Sequence, residues 1–246
     1  MASTDTALLA GLIFIAALLY SSVGHAGASG YLAAMALVGL APAWMKPTAL
    51  VLNILVASIT LFQFHRAGCF SWSSLWPFAL GSVPASFVGG ALNLPDQLYR
   101  PIVGIILLCG AVRLFLPTKP AATSEVKPPP LFTALAWGVT IGLLSGLTGT
   151  GGGIFLSPLL LFAGWANPRQ TGGVSAGFIL LNSLAGLAGR LTSLERLPGE
   201  LPLWACAAVA GGLIGSRLGS RKLAPDQFRK VLGVVLVVAG LKLLFA

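Results

Sequence analysis

The chain has 246 residues, 56% of them hydrophobic and only 9% charged, with a mean hydropathy of +0.91. A soluble domain carries about 25% charged residues, so there is too little polar surface to cover a globule, and an integral membrane protein is the class that fits. The net charge of +9 has no aromatic-interleaved basic stretch behind it, which argues against a nucleic-acid surface. The basic residues sit mainly in short connectors and helix ends, where positive-inside anchoring puts them.

In chain order, apolar segments are predicted near 7–23, 31–41, 48–64, 74–92 and 98–116, then near 131–148, 154–165, 172–189, 201–216 and 228–245. The first run carries only Asp5 and lacks a basic leader region, so it reads as a retained helix. It runs into a glycine-rich break, Gly24-His25-Ala26-Gly27-Ala28-Ser29-Gly30, which returns in the second half as Gly149-Thr150-Gly151-Gly152-Gly153. Pro95-Asp96-Gln97 followed by an apolar helix likewise returns as Pro225-Asp226-Gln227. Between the halves, residues 117–130 hold prolines and both signs of charge, an exposed linker without helix.

The expectation is an all-α polytopic membrane protein with two structural repeats, 1–116 and 131–246, of about five apolar segments each. Spanning a bilayer core takes about 20 helical residues. The segments directly after the breaks, 31–41 and 154–165, reach about half-way. Short, glycine-interrupted segments at corresponding places mark the discontinuous helices of transporters; two full-length tilted helices are the alternative. If all ten segments cross, odd-numbered connectors carry ten Lys and Arg against five on the other side. That places odd connectors in the cytoplasm and makes the repeats inverted. If the short segments are re-entrant, the split evens out and decides nothing.

Glycine permits positive φ and a close approach of chain to ligand. A helix that starts after such a break offers free N–H groups and a positive dipole end, for which an anion is the natural occupant. The candidate substrate-binding residues are therefore Gly24, His25 and Gly27 in the first break and Gly149, Thr150, Gly151, Gly152 and Gly153 in the second. Asn53 and Asn182 join them, each in a Leu-Asn pair inside an apolar helix where a carboxamide needs a partner. Close helix packing is the alternative role for the glycines, and the only one expected for Gly104, Gly110, Gly233 and Gly240. Neither a Walker loop nor a dinucleotide-binding unit surrounds these runs.

All six acidic residues, Asp5, Asp96, Glu125, Glu195, Glu200 and Asp226, lie in a terminus, linker or connector. No carboxylate stands mid-span for a cation or proton pathway. Cys69, Cys109 and Cys206 are isolated, and two histidines are too few and too far apart for a metal site. No cofactor, metal or catalytic residue is expected. A membrane enzyme would need a mid-membrane nucleophile, metal cluster or carboxylate pair.

At these same residues the chain resembles the TauE/SafE family of sulfite and organosulfonate exporter-like permeases. The resemblance rests on both glycine breaks, the Leu-Asn helices, Phe64-His65-Arg66-Ala67-Gly68 leading to Trp72, and the closing helices Leu98–Leu116 and Phe228–Phe245. It covers nearly the whole chain apart from the linker. It implies a multi-pass permease of the bacterial inner membrane, a secondary carrier moving a small sulfur-containing anion such as sulfite or sulfoacetate. Alternating access would come from rocking of one repeat against the other. An anion channel, or a membrane subunit of a larger complex, is the alternative. The expected partners are the anion and the lipid bilayer, with a homodimer allowed.

Overall fold

The computed structural model describes residues 3–115, 129–190, 197–221 and 226–245. Most of the predicted linker lies outside the described residues. Ten α-helices follow one another: α1 (Ser3–Ser22), α2 (Ala28–Leu37), α3 (Pro42–Arg66), α4 (Trp72–Ala91), α5 (Asp96–Phe115), α6 (Leu131–Thr148), α7 (Gly153–Phe162), α8 (Pro168–Ala188), α9 (Leu201–Arg221) and α10 (Asp226–Phe245). The protein is all-α among the described residues. By length and composition, α1, α3, α6, α8 and α9 can cross a membrane. Large apolar side chains such as Leu8, Phe62, Leu80, Phe132 and Phe162 face outward, as lipid contact allows.

Helices α2 and α7 have 10 residues each, about 15 Å of rise and half a bilayer core. Both begin after a left-handed glycine, Gly27 at φ 103° and Gly152 at φ 78°. Both end in the same way. The N–H of Leu40 reaches back to the Met35 carbonyl past Gly39, and that of Trp165 to the Leu160 carbonyl past Gly164. This is the six-to-one closure that a positive-φ glycine makes at a helix C-terminus. Pro42 and Pro168 then open α3 and α8 in the first turn, where their missing N–H costs no bond.

Glycine stripes set the tightest helix contacts. A Cβ at Gly138, Gly142 or Gly146 of α6 would land on the carbonyls of Phe78, Ser82 and Ser86 of α4. One at Gly211, Gly215 or Gly219 of α9 would land on those of Phe14, Leu18 and Ser22 of α1. Small residues four apart let two backbones meet this closely. Gly104 and Gly240 face each other's carbonyls between α5 and α10, as expected for packing glycines. The larger apolar cluster lies around α1, α2, α3 and the inner faces of α5 and α10; a second lies between α4, α6, α7 and α8.

The Pro95 carbonyl accepts from Leu98 and Tyr99, so Asp96 is the first helical residue, its charge in the first turn. The equivalent side chain of Asp226 lies outside the described ones.

Candidate functional site

The two breaks meet. His25 Nε2 lies 3.1 Å from the carbonyl oxygen of Gly153 and 3.0 Å from Ser157 Oγ. Ser157 Oγ in turn lies 2.7 Å from Ser175 Oγ of α8. The imidazole thus ties the first break to the first turn of α7. The Gly153 Cα stands so close to it that an added Cβ would come within 3.2 Å of His25 Cδ2.

Next to this tie, Gly151 (φ 75°) presses on α3 and α8. A Cβ there would stand 2.7 Å from Ile179 Cγ2, 2.9 Å from Asn53 Nδ2 and 3.4 Å from Ser183 Oγ. Asn53 is fully buried, and its Nδ2 donates to Ser183 Oγ at 3.4 Å while its Oδ1 has no partner. A carboxamide offers donors on one edge and an acceptor on the other, so a further polar group beside Gly151 would be bound. Gly152 packs toward Ile141, Phe178 and Ser145, whose hydroxyl is buried without a partner. Thr150 and Thr148 pair through their hydroxyls at 3.1 Å, and Tyr99 Oη donates to the Thr148 carbonyl.

The main-chain N–H groups of Gly151, Gly152, Gly153 and Ile154 donate to no acceptor among the described residues. The same holds for Ala26, Gly27, Ala28, Ser29 and Gly30. Apart from the half-buried Ile154, these residues are buried. A buried N–H without an acceptor costs about 1–3 kcal/mol, and such groups are few in folded proteins. Two sets of them, joined through His25, form a donor-rich surface with the positive ends of α2 and α7 behind it.

Other predicted residues are held by contacts of their own. A Cβ at Gly24 would land on the Gly172 backbone, so Gly24 serves the contact of the first break with α8. Gly27 faces the Tyr31 ring of its own helix. Gly149 packs on Lys46 of α3, with the Lys46 carbonyl oxygen 3.1 Å from where its Cβ would be. Asn182 donates to the Phe178 carbonyl of its own helix at 2.9 Å. Its main-chain carbonyl accepts from Ser86 Oγ.

Ser157, Ser175 and Ser183 were not singled out in the sequence. The signal that picked Asn53, a polar side chain inside an apolar helix, also applies to them. Lys46 counted only as a connector charge. The structure puts it inside α3, 3% exposed, with Nζ donating to the carbonyls of Gly89 (3.1 Å), Gly90 (3.2 Å) and Leu92 (3.4 Å) at the end of α4. Of the arginines near the breaks, Arg66 ends α3 over the Phe62 ring, and Arg190 follows α8.

Known proteins share this chain's pattern. The family model described as sulfite exporter TauE/SafE matches residues 9–243. The probable membrane transporter protein y4hK of Sinorhizobium fredii is 45% identical over 245 residues, covering 98% of this chain and 99% of that protein. A probable membrane transporter protein of Methanocaldococcus jannaschii is 27% identical over 80% of this chain and 77% of its own length. YunE of Bacillus subtilis, also a probable membrane transporter protein, is 23% identical over 68% of each. No solved structure matches the chain. With apolar helices long enough to cross, two half-length helices that each follow a glycine break, and a family match over nearly its whole length, the chain belongs to the sulfite exporter TauE/SafE family of membrane transporters.

Proposed function

We propose that the protein is a secondary carrier, not an enzyme, that moves a small anion, a sulfur oxyanion or organosulfonate, across the bacterial inner membrane by alternating access. The observation that carries this reading is the pair of buried, acceptor-less N–H runs at α2 and α7, brought together by His25 and Gly153. An oxyanion supplies several acceptors in one compact group, so one ligand would satisfy donors from both breaks. Thr150, Asn53, Ser183 and Ser157 would add side-chain contacts around it. The family name and its sulfite designation support the sulfur class. Two inverted repeats of five helices, 1–116 and 131–246, joined by an exposed linker, would give the anion equivalent paths to either side.

Anion flux into proteoliposomes tests the reading, with sulfite, sulfoacetate and thiosulfate set against sulfate and a carboxylate. Ligand stabilisation of the purified protein provides a second readout, about 2.7 kcal/mol at a hundredfold excess over Kd. The double change Thr150→Val and Gly151→Leu is expected to abolish flux, because a side chain at position 151 would collide with Ile179 and Asn53 and displace them. Wild-type flux in that protein would remove the second break from the pathway. Counterflow separates the carrier from a channel, which conducts without it.

A further inference from the structure

Lys46 is the buried cation that the carrier reading leaves without a task. It lies in the second turn of α3, 3% exposed, within a helix long and apolar enough to span. Its hydrogen-bond partners among the described residues are the main-chain carbonyls of Gly89, Gly90 and Leu92. The end of a helix carries only about half an elementary negative charge, so the α4 terminus meets the ammonium's hydrogen-bonding need without balancing its charge. An ionisable side chain held inside a membrane protein at such cost marks a substrate or ion pathway.

Its position relative to the donor surface gives the task. The Lys46 stem lies against the residue that opens the second break: Cγ stands 3.4 Å, and the carbonyl oxygen 3.1 Å, from the Cβ position of Gly149. From Gly149 the chain runs directly into the acceptor-less N–H groups of Gly151 to Ile154. The long, flexible lysine stem lets the head trade carbonyl contacts for a ligand oxygen without any change in α3. The corresponding contact of the first break has no such group, because there Gly24 meets the bare backbone of Gly172.

We infer that Lys46 is the counter-charge of the bound solute: its ammonium rests on the C-terminal carbonyls of α4 and pairs with an anion seated at the second glycine break. This deepens the carrier reading and rests on it. The site then selects an anion over a neutral molecule of the same shape, which main-chain N–H donors alone do weakly. A lysine that merely closes the end of α4 makes a different prediction, because any donor would serve there.

Three substitutions separate the two roles. Lys46→Gln keeps N–H donors for the α4 carbonyls and removes the charge; Lys46→Met removes both; Lys46→Arg keeps both. Purified full-length proteins are titrated with sulfite, methanesulfonate and the neutral methanesulfonamide, following thermal stabilisation, and the same proteins are assayed for flux. The wild type is expected to bind the anions and reject the amide. The Gln and Met proteins should lose at least about tenfold in anion affinity, while Arg stays within about threefold. A folded Gln protein with wild-type anion affinity overturns the inference and leaves Lys46 as a helix cap. If neither Gln nor Met folds, the remaining two proteins decide. A wild type that binds the amide as well as the sulfonate, or a folded Arg protein that no longer discriminates, overturns it, and retained discrimination in both supports it. A wild type that carries anions beside an unaffected Gln protein sinks this inference alone. A wild type that neither binds nor carries any of them sinks the carrier reading and this inference with it.

Discussion

The two glycine breaks use one backbone plan for two purposes. Each places a left-handed glycine before a ten-residue helix, each closes that helix with a second one, and each leans its first glycine on a long helix of the opposite half. The first break then fills itself. Tyr31 Oη donates to the Ala26 carbonyl, Ser29 Oγ donates to Tyr20 Oη, and Gly27 and Gly30 lie under the Tyr31 and Tyr20 rings. Its one reaching side chain, His25, goes across to Gly153. The second break has no aromatic side chain of its own, and its neighbours are Ile141, Phe178 and Ile179 together with Asn53, Ser145, Ser183 and Lys46. One break is packed by its own aromatic side chains; the other is a run of main chain whose surroundings mix apolar and polar side chains. A duplicated plan can therefore be loaded unequally, with side-chain chemistry on one copy and open donors on the other.

The sharpest way to break the comparison is at the first glycine of each break. Gly24→Ala combines a positive φ with a Cβ placed on the Gly172 backbone, whereas Gly149→Ala meets its nearest atom at 3.1 Å. The expected loss is about 3–5 kcal/mol for the first and about 1–3 kcal/mol for the second. Thermal unfolding in detergent ranks them, and equal losses would show that the two contacts are alike. His25→Ala comes next. It removes the tie to Gly153 and Ser157, at about 1–3 kcal/mol, and should cut flux heavily. Thr150→Ala removes only a hydroxyl pair with Thr148, at about 1 kcal/mol.

The paired asparagines sharpen the contrast further. Asn53→Leu places an apolar group beside Gly151 and should lower anion affinity by at least about tenfold. Asn182→Leu replaces a carboxamide bonded within its own helix and should leave affinity within about threefold. Binding titrations decide, and an Asn182 effect as large as that of Asn53 would contradict their different surroundings. The smallest and most symmetrical effect is expected at the helix ends. Gly39→Ala and Gly164→Ala meet nothing within 4 Å and carry only positive-φ strain, about 1 kcal/mol each and equal in the two halves.

The breaks and the half-length of α2 and α7 were legible because glycine and length act locally. A run without Cβ atoms cannot be ordinary helix, and ten residues cannot cover a bilayer core. The buried place of Lys46 was not legible. It stands between Pro42 and Pro47, and the pair reads as a connector, yet Pro42 sits where a helix tolerates it best. The two Leu-Asn pairs look alike in sequence, and only the tertiary register sets Asn53 against Gly151 and turns Asn182 to Phe178. Ser157, Ser175 and Ser183 show why hydroxyls are hard to weigh, since most serines in membrane helices bond their own carbonyls, as Ser21 and Ser216 do here. The match of Gly138, Gly142 and Gly146 to α4 was present as a spacing, but a spacing does not name the partner helix.

Those glycine stripes bear on how the molecule could move. Helix α6 is zipped to α4 and α9 to α1, in each case by three glycines seated on three successive carbonyls. Each seam joins an element from the front of the chain to one from the back. Swinging the front against the back would unzip both at once, exposing six carbonyl contacts that nothing else covers. Motion that spares them carries α1 with α9 and α4 with α6 as two composite bodies, each assembled from both halves of the chain, so the mobile units are drawn by contact and not by sequence.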